Sequence, residues 1–82
     1  MKKVKFVQVE WDDAASCATW RGLDDLPHTQ PCITRGWLLE ENKKELIIAA
    51  TVQEGGPDFG ELIALPRGMV KRIRRLKVSY GR

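Results

Sequence analysis

Two extended-looking segments flank a sharp turn near the C-terminal end, and this constrains the fold more than any other feature of the chain. Leu62-Ile63-Ala64-Leu65 reads as a strand, Pro66-Arg67-Gly68 as a turn, and Met69-Val70 opens a basic element that runs to Arg82. From Leu62 onward there are seven Lys and Arg and no acid; the residues before it hold seven basic and eleven acidic side chains, so a +7 segment follows a −4 body. Met69, Val70, Ile73 and Leu76 sit at helical spacing, and Pro66 can open a helix. The competing reading is one tight helical turn at Arg67-Gly68-Met69 followed by a last strand from Val70. Gly68 within a short helix costs about 1 kcal/mol relative to Ala, which favours the second reading.

The other segments point to strands. Lys3 to Trp11 is rich in Val and Phe. Its alternation is imperfect: Val4 and Phe6 lie on one side, and Val7, Val9 and Trp11 on the other. A bulge near Phe6-Val7 or burial on both faces accounts for that. Cys32 to Glu40 and Glu45 to Gln53 form an expected hairpin with its turn at Asn42-Lys43. Ile33, Arg35, Trp37 and Leu39 share one face of the first arm, and Leu46, Ile48, Ala50 and Val52 share one face of the second. The run Leu46-Ile47-Ile48-Ala49-Ala50 is apolar on both faces, as a central strand would be. Glu54 to Gly60 is a turn, and Glu61 to Leu65 is the fourth strand. Residues 12–30 read as a long loop with a short helical turn around Leu23 to Leu26; Gly22 and Pro27 interrupt anything longer. Loops of this length in compact domains are often functional.

Eighty-two residues make a single domain, 1–82, with a small core. No apolar run approaches the roughly 20 residues of a membrane-spanning helix, so no membrane partner is expected. Met1-Lys2-Lys3-Val4-Lys5 is not followed by a long apolar region, which argues against a secretory signal. Cys17 and Cys32 are too few for a disulfide framework, so reduced thiols and a cytoplasmic location are expected.

The residues Leu65-Pro66-Arg67-Gly68-Met69-Val70-Lys71-Arg72-Ile73 resemble the end of Src-homology-3 domains, where an apolar-Pro pair, a one-turn helix and a Val lead into the final strand. The resemblance implies an all-β, five-stranded small barrel, Src-homology-3-like or Sm-like, with a long first loop and a one-turn helix before the last strand. Met69 stands where that family has a Tyr, and Arg67-Gly68 where it has a small polar pair. These departures speak against proline-rich peptide recognition, which needs aromatic grooves. The alternative fold is a four-stranded antiparallel sheet with a C-terminal amphipathic helix. A small sheet leaves exposed edges, which makes a homo-oligomer an expected partner state.

Across most of its length the chain also resembles a family of short bacteriophage and prophage proteins. The likeness rests on Trp11-Asp12-Asp13-Ala14, on Gly36-Trp37-Leu38-Leu39 with Leu46-Ile47-Ile48-Ala49, and on Ile63 to Ile73. It implies a host-interaction or counter-defence role in the host cytoplasm.

The candidate ligand-binding residues are Arg67, Gly68, Lys71, Arg72, Arg74 and Arg75, with Trp20 and Arg21 as additions. Guanidinium groups hold phosphates by charge and by bidentate hydrogen bonds. Gly68 leaves the backbone beside Arg67 open to close approach. Trp20 with Arg21 can stack on a base. The competing reading is that these charges balance the acidic body through ion pairs, that Trp20 caps the core, and that Trp37 lies within it. Cys17, Cys32 and His28 lack the spacing of a zinc site, so no metal and no cofactor is expected. Asp12 and Asp13 would point to opposite sides of a strand and would not converge on a metal or a proton. Gly55-Gly56 lacks the Lys and Ser/Thr of a phosphate loop. No acid, base and nucleophile set converges, so an enzyme is not expected. The function expected is that of a non-enzymatic, phage-encoded binding protein whose target is a host protein or an anionic nucleotide signal. The alternative is a small barrel that binds nucleic acid without sequence preference.

Overall fold

The computed structural model describes residues 4–77. The expectations for Lys3 and for the end of the basic element, 78–82, lie outside them. The chain is all-β: β1 (Lys5–Asp13), β2 (Gln30–Glu41), β3 (Glu45–Val52) and β4 (Phe59–Pro66) are followed by a 3₁₀ turn at Arg67–Met69 and by β5 (Val70–Arg75). All paired strands are antiparallel and form one sheet in the order β4-β3-β2-β1-β5. The last element is thus a strand after a tight turn, and the C-terminal helix of the alternative fold is absent from the described residues.

The turns follow from their side chains. Between β2 and β3, the Asn42 Oδ1 accepts hydrogen bonds from the backbone N–H of Lys44 at 2.8 Å and of Glu45 at 2.9 Å. An Asn side chain reaching its own backbone two residues on is a turn device, and it fixes the hairpin where the sequence placed it. Between β3 and β4, Gly55 takes a φ of 74°, a left-handed conformation that glycine adopts without steric cost.

The 3₁₀ turn requires the sheet to curl. In a flat sheet, β4 and β5 would lie four strand spacings apart, about 19 Å. Pro66 and Val70 are four residues apart and can be separated by at most about 14 Å. The two edges therefore approach one another at this end. Arg67 N–H bonds the carbonyl of Lys44 at 2.9 Å, and Val70 pairs with Trp11. No hydrogen-bonded pairing joins β4 to β5, so the sheet is not closed.

The curled sheet encloses a small core. Val7, Val9, Leu46, Ile48 and Leu65 are fully buried, and Trp11, Leu38, Ile63, Val70 and Ile73 pack against them. Each such burial contributes about 1.5–3 kcal/mol. Gly36 sits opposite Val7, where a Cβ would lie 2.4 Å from the Ala49 carbonyl oxygen. Only glycine lets β2 and β3 approach this closely.

Three local expectations are corrected. The irregularity in the first strand is not at Phe6-Val7: the register shift lies at Glu10/Trp11, against β5. Phe6 packs on the opposite face from Val7, edge-on against Trp37 with ring centroids 4.9 Å apart, so β1 is covered on both faces there. Trp37 accordingly belongs to that second face and not to the core cluster. Residues 22–25 form a hydrogen-bonded turn, Asp25 N–H to Gly22 carbonyl at 3.1 Å, and not a helix.

Candidate ligand-binding face

Val7 and Val9 point into the core, so Phe6, Gln8 and Glu10 point away from it. Directly opposed residues of antiparallel strands share a face. Gln8 pairs with Arg35 on one side and Arg74 on the other, and Glu10 pairs with Ile33 and Arg72. Phe6 pairs with Trp37, Trp37 with Ala49, and Ala49 with Leu62. The outer face therefore carries three consecutive rows. One is apolar and spans β1 to β4; the next two, on β2, β1 and β5, hold Arg35, Arg72 and Arg74. Arg35 and Arg74 are two strand spacings apart, about 10 Å, and successive rows are about 7 Å apart.

Neighbouring groups hold some of these guanidiniums and leave others open. Arg35 Nε donates to Gln8 Oε1 at 2.7 Å. Arg74 Nε lies 3.2 Å from Glu10 Oε2. Arg72 has no carboxylate partner among the described residues. Of these three guanidiniums, only Arg74 is paired with a carboxylate among the described residues. These contacts are largely exposed, and an exposed ion pair contributes about 0–1 kcal/mol, so an incoming phosphate can compete for them.

The predicted site residues do not form one cluster. Arg72 and Arg74 lie together on the outer face. Arg75 pairs with Val7 and so points to the inner side of β5, at an exposed position. Lys71 stands at the register shift, with its Nζ 3.9 Å from Asp12 Oδ2. Arg67 Nη1 lies 2.9 Å from Glu41 Oε2, at the rim of a hollow of about 430 Å³ lined by Glu41, Asn42, Lys43 and Arg67. Beside it, Gly68 has open space where a Cβ would stand. The ion-pair reading of the basic cluster therefore holds for Arg67, Lys71 and Arg74.

Trp20 and Arg21 lie in the loop between β1 and β2, exposed throughout 14–29. Trp20 is fully exposed, so the reading of Trp20 as a cap on the core is overturned. Arg21 Nη1 pairs with Asp25 Oδ2 at 2.8 Å, and its Nε donates to Thr19 Oγ1 at 3.2 Å. The same Thr19 hydroxyl lies 3.1 Å from Cys17 Sγ; hydrogen bonding from the Thr19 side chain first, and from its backbone second, lowers the thiol pKa below its ordinary value. Cys17 and Cys32 are both free thiols. Among the described residues, no cluster of His, Cys, Asp or Glu could hold a metal ion, and no helix is long and apolar enough to cross a membrane.

Sequence reasoning missed Arg35 and Gln8. The signal was present, since Arg35 alternates with Ile33 and Trp37. Its significance depends on strand register, which places it across Gln8 from Arg74. Comparison with family models, curated proteins and solved structures returned no match to this chain.

Proposed function

We propose that the protein is a non-enzymatic binding module that takes an anionic ligand, of nucleotide character, on the outer face of β2, β1 and β5. The observation that carries this reading is the pair of rows Arg35–Gln8–Arg74 and Ile33–Glu10–Arg72 beside the Phe6–Trp37 pair. Guanidinium forks recognise phosphate oxygens bidentately, and the adjoining aromatic row offers apolar contact for a base. Arg72 supplies the open guanidinium; Arg35 and Arg74 can exchange their present partners for the ligand. Trp20 and Arg21 lie outside this patch. We read the sheet as a small barrel of Src-homology-3-like kind. The strand order and the three-residue 3₁₀ link support that reading.

The likeness to small bacteriophage proteins supports a target in the host cytoplasm, as a counter-defence factor acting on a nucleotide signal or on the host protein that uses it. A second reading, nucleic-acid binding without sequence preference, is favoured by Arg72, Arg75 and Lys77, which have no carboxylate partner among the described residues. Isothermal titration with mononucleotides, cyclic nucleotides and a single-stranded oligonucleotide, at two salt concentrations, separates the two. A compact site saturates at one small ligand with modest salt dependence. A nucleic-acid groove binds the oligonucleotide alone, with a steep dependence. No heat with any of them would remove both readings.

A further inference from the structure

The chain itself leaves two apolar surfaces wholly or partly open. The first is the outer row Leu62–Ala49–Trp37–Phe6, in which Leu62 is exposed, Trp37 and Phe6 are half-buried and Ala49 is fully buried, with half-buried Ile47 and exposed Ala64 in the row beside it. An antiparallel sheet with one face on the core is ordinarily polar on the other. Here β3 is apolar on both faces, and Leu62 is 58% exposed. The second surface is the 14–29 arm, with Trp20 fully exposed, Leu23 91% exposed and Leu26 47% exposed. The arm has local order of its own: the Gly22–Asp25 hydrogen bond and the Arg21–Asp25 ion pair hold Leu23 and Asp24 in a turn. The chain is elongated, 53 Å by 28 Å by 21 Å, and no residue of the arm is buried against its own sheet.

We infer that the protein is a symmetric dimer in which the 14–29 arm of each copy covers the Leu62–Ala49–Trp37–Phe6 row of the other. Charge complementarity selects a second copy as the occupant. Asp24 follows Leu23 directly and has no ion-pair partner among the described residues. Arg35 stands one row from Trp37, about 7 Å away, so a Leu23 seated on Trp37 brings Asp24 to the Arg35 of the other copy. One face needs an apolar filler followed by an acid, and the arm supplies that sequence. A two-fold axis makes the two contacts identical and closes the assembly at two copies. Arg72 and Arg74 stay outside this contact, while Trp37 and Arg35 are shared with the proposed ligand face, so a bound nucleotide must displace the arm; sedimentation without ligand tests the dimer separately from the ligand reading.

Sedimentation velocity on the full chain tests it. The expected species has twice the 9.3 kDa chain mass. The Trp20→Ser/Leu23→Ser double variant changes residues that support nothing within their own chain, so it should fold normally and sediment as a monomer, with at least a tenfold loss of self-association. Leu62→Glu should do the same from the other side. An equimolar mixture of the two variants retains one intact arm and one intact face, and should regain a complex of two chains. A monomeric wild-type protein at high concentration, a double variant that still dimerises, or a mixture that stays monomeric would each overturn the dimer.

Discussion

Glu10 stands between two arginines of β5 and engages one of them: Arg74 Nε lies 3.2 Å from its Oε2, while Arg72, its direct cross-strand partner, has no carboxylate partner among the described residues. This asymmetry decides which arginine is available to a ligand without a competing contact. Arg72→Ala is expected to weaken binding of the anionic ligand at least tenfold and leave the unfolding midpoint unchanged. Glu10→Gln should strengthen binding, because it removes the one carboxylate among three guanidiniums. Parallel calorimetry and thermal melts check both.

Arg67 gives the opposite expectation. Its guanidinium pairs with Glu41 across the β2–β3 turn, away from the Arg35–Arg74 row. Arg67→Ala should lower stability by less than about 1 kcal/mol, as for other exposed pairs, and leave ligand affinity within twofold. A titration of this variant beside Arg72→Ala distinguishes the outer face from the turn as the site.

The glycines provide a contrast in packing. A Cβ at Gly36 would meet the Ala49 carbonyl oxygen at 2.4 Å and Ile48 Cγ2 at 2.7 Å. Backbone on one side and core on the other leave no room to yield, so Gly36→Ala should cost about 1–3 kcal/mol. Gly68 has open space around it and a negative φ, so Gly68→Ala should be neutral or stabilise by about 0.4–1 kcal/mol through the unfolded chain. Urea unfolding of the two variants reads the difference.

Much of this fold is legible in the sequence because local chemistry fixes it. Asn42 marks the β2–β3 turn, the Gly55-Gly56-Pro57 segment marks the next, and Gly68 argues against a terminal helix. The face assignments were harder. Trp37 reads as core because it lies in an apolar strand, yet it packs outward on Phe6, a choice made by register with β1. Trp20 reads as a cap because isolated tryptophans usually find cover, but nothing local brings its loop back to the sheet. The Arg35–Gln8–Arg74 row is formed by three strands far apart in sequence, so no spacing within a single segment reveals it.

Core truncation should expose how small the core is. A domain of this length is held by about 4–12 kcal/mol. Leu46 is fully buried at the centre of the cluster, and Leu46→Ala should cost about 2–5 kcal/mol, enough to leave the variant partly unfolded at 37 °C. Circular dichroism melts check this.

The thiol of Cys17 supplies a pH prediction. Hydrogen bonds from Thr19 stabilise its thiolate and lower its pKa. A lowered pKa means that the thiolate appears at lower pH in the folded chain than in the unfolded one. Alkylation of Cys17 should therefore rise at lower pH in the native protein than in urea, and Thr19→Val should move the native profile upward. Mass-spectrometric alkylation rates across pH 6–10 would show it.

The most direct measurement of the central claim follows the arginine Nε–H and tryptophan indole resonances during nucleotide titration by NMR. Binding on the outer face predicts that Arg35, Arg72, Arg74 and the Trp37 indole shift together along one saturation curve, with Arg67 unmoved. Shifts confined to Arg67, or to Trp20 and Arg21, with the outer-face arginines unchanged, would contradict it.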